Sequence, residues 1–481
     1  MRSTSDKTTP EGRSRRTQFI NLLGPTPVDL EQRLVLTPDH IPVHLLFRKQ
    51  LTDPALLISI CSTVPELIPE RLAAAGPVLR FTTDSDGISL MNQGAIIVFI
   101  NDDAPFVVMK PNFLKRQPAP PLVERSVRGP LNAFTEDIFD NLASVRRMLP
   151  DPDLIAEEWT IGRRTKTKLA LSYLGDVANP DLVAEVRARL KRIDIDGIED
   201  PGVVEELLQD HKWTPFPLNQ STERPDKTVA FLLEGRIAIF FDNSPRVVVL
   251  PVSLNDLYQA ADDYYFNFWS GSMIRIIRFV GSVIAVSLSG LYIALVGSSP
   301  QLLPITLGLE VASQRVGMSL PLPLEVILTE VVVELFREAG LRLPQGVNIT
   351  TGVSTGILVG FALIMTGYIS TPTLIVVGIT AIASFSTPNF SVGFTWRILK
   401  YFLIFAATFL GYYGFILGSV VILAHIAGLS SFGSPYSVPW APLQASGIFD
   451  SLVRFPHWMQ RERPLIAKPL QQKRQKTDNE A

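Results

Sequence analysis

Leu343-Pro-Gln-Gly-Val-Asn-Ile-Thr350-Thr-Gly-Val-Ser-Thr-Gly356-Ile-Leu-Val-Gly360-Phe-Ala-Leu-Ile-Met-Thr-Gly-Tyr-Ile369 contains no charged side chain, and none follows until Arg397. Between Leu343 and Phe449 the fully charged residues are Arg397 and Lys400, with one histidine, His425. Folded domains in water cover themselves with charged residues that are rarely buried. The expected solvent for this stretch is therefore lipid. Upstream of about residue 270 the sequence is ordinary, charged and soluble in character. The expected fold class is an α+β cytoplasmic domain of two similar α/β subdomains, followed by an α-helical polytopic membrane domain.

The 481 residues allow about three domains. A formal net charge of -2 supplies no field that would draw the chain to nucleic acid, and none is expected as a partner. The single cysteine, Cys61, excludes an internal disulfide framework and a multi-cysteine metal site. Residues 1–18 are polar, with Arg13, Arg15 and Arg16, and lack the apolar core of a signal peptide. They read as a disordered tail on the cytoplasmic side.

The soluble part is duplicated in outline. Gly94-Ala-Ile-Ile-Val-Phe-Ile-Asn-Asp-Asp-Ala-Pro-Phe-Val-Val-Met-Lys-Pro111 has a counterpart in Gly235-Arg-Ile-Ala-Ile-Phe-Phe-Asp-Asn-Ser-Pro-Arg-Val-Val-Val-Leu-Pro251. Each reads as strand, Asp/Asn turn, strand. Leu45-Leu46-Phe47 leading to Asp53-Pro54 matches Leu169-Ala170-Leu171 leading to Asn179-Pro180, a strand followed by a capped helix start. The boundaries are 19–123 and 151–268, and such units should pack on each other or on neighbours to cover both sheet faces. Residues 124–150 form the connection. After Pro130 an amphipathic helix is expected, with Phe134, Ile138, Leu142, Val145 and Met148 inward. Glu136, Asp137, Asp140, Arg146 and Arg147 would form its solvated face.

The membrane domain should cover 269–449, with spans near 279–296, 350–369, 373–394 and 401–424. Arg275 and Arg278 precede the first span, and the tail 450–481 is basic, so both ends belong to the cytoplasm. Four spans then leave Arg397 and Lys400 outside, against the usual bias. An extra span or a re-entrant element would remove the conflict. Residues 322–340 are the candidate, an amphipathic helix with Glu330, Glu334 and Glu338 on one face, Arg337 beside Glu334, and Gly340 at its end. In an oligomer those carboxylates could face a cation path, or they could form the wet side of an interfacial helix. Gly352, Gly356 and Gly360, spaced by four, share a helix face with Thr355 and Val359 nearby. That face suits close helix packing or a narrow, weakly polar pore. The candidate ion path is thus Gly352, Thr355, Gly356, Val359, Gly360, Glu330, Glu334 and Glu338.

No Walker A, G-x-G-x-x-G or H-E-x-x-H pattern occurs. His40 and His44 are four apart, but Pro42 lies between them and breaks any helix. No catalytic constellation, metal site or cofactor site is expected, and the chain does not read as an enzyme.

Arg128-Gly-Pro130…Phe134-Thr-Glu136…Asn141, Thr160-Ile-Gly-Arg-Arg-Thr-Lys-Thr-Lys168, Arg189-Leu-Lys-Arg-Ile-Asp-Ile-Asp-Gly197, Thr222-Glu-Arg-Pro-Asp226 with Leu233-Glu-Gly-Arg236, and Asp262-Asp263-Tyr264-Tyr265 occur in order. Glu330…Glu334…Arg337-Glu-Ala-Gly340, Thr380-Ala-Ile-Ala-Ser-Phe385 with Pro388-Asn389, and Ser431-Phe-Gly-Ser-Pro-Tyr436 follow. Over about residues 124–465 this series resembles the A subunits of bacterial spore germinant receptors, the GerA family. It departs at Ser434, Ser437 and Trp440, where the family usually has Val, Leu and Leu. The resemblance implies an endospore-forming bacterium and the inner spore membrane, with the N-terminal domain on the spore core side. It implies an integral-membrane B subunit that senses the nutrient, a lipoprotein C subunit, and a homo-oligomer in contact with membrane lipid. It further implies an oligomeric ligand-gated channel for monovalent cations. The alternative is a membrane-anchored scaffold subunit that conducts nothing.

Overall fold

A computed structural model describes residues 16, 19–20, 28–52, 55, 58, 61, 68, 78–79, 84–100, 105–109, 120–121, 123–342, 356, 358–448 and 450–474. The expected helix start at Asp53-Pro54, the glycine Gly352, Thr355 and nearly all of the expected tail 1–18 lie outside the described residues.

Two five-stranded antiparallel sheets form the N-terminal half. The first contains β1 (Leu30–Leu36), β2 (Pro42–Arg48), β3 (Val78–Leu79), β4 (Ala95–Ile100) and β5 (Phe106–Met109), with helix α1 (Asp84–Asn92) before β4. Its order is β1-β2-β4-β5-β3. Helix α2 (Ile138–Met148) leads to the second sheet. That sheet contains β6 (Leu154–Ile161), β7 (Thr167–Leu174), β8 (Gln220–Thr222), β9 (Ile237–Phe241) and β10 (Val247–Leu250), in the order β6-β7-β9-β10-β8. The same order appears twice, and the two hairpins recognisable in sequence, β4–β5 and β9–β10, occupy the same place in each.

Strands β4, β5, β9 and β10 are uniformly apolar because both faces are covered. One face of the second sheet sets Leu169, Leu171, Ile239 and Val248 against α3 (Pro180–Arg192) and α4 (Pro201–Leu208). The other sets Ala170, Ala238, Phe240 and Val249 against α2 and α5 (Pro225–Leu233). The connecting helix is thus one of the neighbours that cover the second sheet. It is also shorter than expected. The Asp137 carboxylate accepts from the amides of Phe139 and Asp140, so the helix starts at Ile138 and Phe134 packs ahead of it. Met148 is exposed, whereas Arg146, expected on the solvated face, is buried.

Arg146 is inside because Asp29 is inside. Asp29 accepts from Arg146 Nε and from Arg48 Nη1, each at 2.5 Å, and Arg146 also donates to Leu154 O at 2.9 Å. The cluster joins the threshold of β1, the end of β2, α2 and the start of β6. Burial alone would raise the Asp29 carboxyl, but the guanidiniums of Arg146 and Arg48 outweigh it and hold the group down at about 2, from 3.8. A depressed acid contributes stability above its unfolded value and loses it as pH falls through its folded value. Stability on the order of 2 kcal/mol should therefore disappear between pH 4 and 2. Acid titration of the unfolding free energy, with Asp29→Asn as the comparison, checks this. The variant should start lower at pH 7 and lose the excess slope in that window.

The second half is helical. Beyond the short α6 (Leu254–Tyr258), helix α7 (Phe268–Tyr292) continues through a π-helical turn to Ser298. Then come α8 (Ile305–Gln314), α9 (Leu322–Arg342), helical residues 358–365, α10 (Thr371–Ser384) and α11 (Phe390–Gly428). Among the described residues, Phe268–Ser298 and Phe390–Gly428 are long and apolar enough to cross a membrane. Helix α9 runs on through Gly340, which was expected to cap it. Helix α11 is broken at Gly411 (φ 62°, ψ -143°), a conformation that suits glycine. The arms fold back on each other: an added Cβ at Gly414 would stand 2.1 Å from Ala406 O, and one at Gly418 2.9 Å from Leu403 Cδ2. Residues expected as a basic tail return to the second sheet domain, where Leu470 N donates to Val177 O (2.8 Å) and Arg463 Nε to Leu233 O (2.7 Å).

Candidate functional site: a buried charge network beside an open glycine face

Three acidic residues of α9 lie at three levels of the helical bundle. Glu325 Oε1 accepts from Ser370 N and Ser370 Oγ, both at 2.5 Å, and its Oε2 pairs with Arg315 Nη1 at 2.8 Å. Glu330 Oε2 pairs with Lys400 Nζ at 2.5 Å, while its Oε1 accepts from Ser289 Oγ (2.6 Å) and Thr380 Oγ1 (3.4 Å). Glu334 takes Arg337 Nη1 at 3.0 Å on one oxygen and Arg397 Nη1 at 3.1 Å on the other. Arg337 Nη2 reaches Ser384 Oγ at 2.9 Å.

Glu325 and Glu330 are wholly buried and Lys400 nearly so. An ion in such surroundings is tolerated only when paired and hydrogen-bonded. The middle level meets that demand with four elements: Ser289 on α7, Glu330 on α9, Thr380 on α10 and Lys400 on α11. Arg397 and Lys400, three apart, meet Glu334 and Glu330, four apart, because α9 and α11 run in opposite directions there.

The same contacts orient the bundle. Ser282 reaches Thr387, Ser289 reaches Thr380 and Tyr292 reaches Thr373, so α10 runs antiparallel to α7. Gly290 approaches Leu403 and Gly411 approaches Ser298, so the first arm of α11 runs parallel to α7. The second arm returns, and His425 meets Thr214 of the sheet domain.

The glycines behave differently. Gly281 leaves no room for a Cβ, which would stand 2.3 Å from Ser386 Oγ, and at Gly290 one would crowd Leu403 at 3.2 Å. At Gly356 and Gly360 no described atom lies within 4 Å of that position. Val359 beside them is half-buried. Of the sequence-derived site residues, the structure thus brings Glu330 and Glu334 into one network, leaves Glu338 exposed at its end, and sets Gly356 and Gly360 on a separate open face beside the half-buried Val359. Arg397 and Lys400, read as loop charges, are its cations. Glu325, Arg315, Ser289, Ser370 and Thr380 were missed. The available signal was a helix with acids at 325, 330 and 334 opposite two lone cations three residues apart.

The sequence matches the Bacillus/Clostridium GerA spore germination protein family over residues 48–466. The chain belongs to that family. Relatives include spore germination protein A1 of Bacillus subtilis, 40% identical over 76% of this chain and 76% of that one. Spore germination protein GerLA of Bacillus cereus is 34% identical over 84% and 82% of the two chains. The crystal structure of the N-terminal domain of the A subunit of the Bacillus megaterium spore germinant receptor GerK3 is 30% identical, covering 49% of this chain and 92% of that one, with a TM-score of 0.38. In this GerA-family protein, motif residues of the soluble half are joints. Arg224 pairs with Asp226 (2.7 Å), Arg236 with Asp256 (2.8 Å), Tyr265 donates to Asp226 (2.5 Å), and Asp263 receives Arg278 (2.7 Å) where the sheets meet the bundle.

Proposed function

We propose that this GerA-family protein is the A subunit of a germinant receptor, a multi-pass protein of the inner spore membrane whose sheet domains face the spore core. The bundle directions support six crossings: α7, α9, the segment containing 358–365, α10 and the two arms of α11. An even number returns the C-terminal residues to the side of the sheets, where they dock, and places Arg397 and Lys400 within the bundle instead of in an outer loop. The partners are an integral-membrane B subunit that senses the nutrient and a lipoprotein C subunit. Copies of the A subunit assemble around a ligand-gated path for monovalent cations.

The observation that carries the conducting role is the open face at Gly356 and Gly360, a narrow strip with no partner among the described residues. We assign the path to this face together with Val359, and a positioning role to Glu330 and Glu334, whose charges are answered inside the chain. Rings of small and weakly polar groups pass partly hydrated cations without trapping them. Reconstitution of the receptor in liposomes tests the assignment. Potassium release on adding germinant should fall at least tenfold in Gly356→Leu and Gly360→Leu, with assembly intact. Unchanged flux in both variants would remove the path from this face. Absence of flux in the intact wild-type complex under every germinant condition would leave a scaffold.

A further inference from the structure

We infer that the loop before β8 is a membrane anchor of the sheet domain, with Trp213 seated at the boundary between lipid headgroups and acyl chains. The inference rests on the bundle spanning a bilayer. Trp213 is 99% exposed, which no neighbour in the chain explains. Its loop is nevertheless fixed on both sides. Thr214 Oγ1 lies 3.0 Å from His425 Nε2 of the returning arm of α11. Pro215 O accepts from Thr395 Oγ1 of the outgoing arm at 2.5 Å, and Phe216 packs edge-on against Trp396 at 5.4 Å.

These contacts set the depth. Thr395 lies six residues beyond the cap Asn389, or about 9 Å along the helix. His425 lies three residues before the end of the returning arm at Gly428. The loop therefore sits inside the ends of the membrane helices, not beyond them. The indole combines an apolar body with one N–H donor and prefers the interface on both counts. Lys212, also exposed, can reach headgroup phosphates from the same loop.

Site-directed spin labelling in liposomes decides the matter. Cys61 is buried and can be replaced by Ala, leaving single labels at Trp213→Cys and, as a depth control, Leu417→Cys, which is 58% exposed on the returning arm. Both labels should be relaxed more by oxygen than by a water-soluble nickel chelate. A lipid-exposed Leu417 with a water-exposed Trp213 overturns the anchor alone. Water exposure at both overturns the membrane reading and the anchor with it. Shielding of Trp213 from both agents shows a second copy packed over it, and also overturns the anchor. In the unlabelled protein, quenching of tryptophan fluorescence by brominated phospholipid should drop measurably in Trp213→Phe. Equal quenching in the two proteins counts against the anchor.

Discussion

Replacing Lys400 by methionine should destabilise the bundle by about 3–5 kcal/mol, because it leaves the Glu330 carboxylate buried without its cation. Ser289 and Thr380 still donate to Glu330 Oε1, but Oε2 loses the ammonium at 2.5 Å. Methionine has nearly the reach of lysine, so little packing is lost with the charge. The carboxyl must then take up a proton or draw in water, and either opens the contact between α9 and α11. Adding Glu330→Gln should recover most of the loss, since no charge remains to be desolvated. The two single variants and the double form a cycle, read from unfolding in SDS-containing mixed micelles. A single-variant loss under 1 kcal/mol would mean that the pair is hydrated. Arg397→Met should cost less, because Glu334 is 26% exposed and keeps Arg337.

The same pair marks the boundary of what the sequence made legible. The β4–β5 and β9–β10 hairpins could be read because a strand–turn–strand pattern is local, and its duplication exposed a second copy. The cap of α3 at Asn179, with Pro180 following, was local as well. Arg146 could not be placed, since its partner Asp29 is over a hundred residues away and burial overrode the amphipathic pattern. Lys400 was misplaced for the same reason: a hydropathy scan treats each charge as an interruption, whereas a charge answered by Glu330 on another helix is part of the interior. The long run Phe390–Gly428 also hid its reversal. Gly411 was one small residue among many, and its significance lies in a positive φ that the sequence does not display. The glycine series at 352, 356 and 360 was equally suited to packing or to an open face. At Gly356 and Gly360 no described atom stands within 4 Å of where a Cβ would be, a fact of three-dimensional surroundings that a spacing of four does not carry.

That reversal supports the other large effect. Gly414→Ala should cost about 3 kcal/mol, the upper end of overpacking, whereas Gly418→Ala should cost less than about 1 kcal/mol. The positions differ in what an added methyl meets. At Gly414 it would stand 2.1 Å from the carbonyl oxygen of Ala406, which belongs to helix backbone and cannot turn aside. At Gly418 the nearest atom is Leu403 Cδ2 at 2.9 Å, the end of a side chain that can change rotamer. The arms must therefore separate in the first variant and need only repack in the second. Separation near Ala406 shifts the arm that carries Lys400 and Arg397 against Glu330 and Glu334. Gly414→Ala should consequently weaken germinant-triggered potassium release as well as stability, while Gly418→Ala preserves both. The mixed-micelle unfolding curves and the liposome flux assay measure the two consequences on the same preparations. Equal destabilisation by both substitutions would show that the arms do not meet backbone to backbone at Gly414.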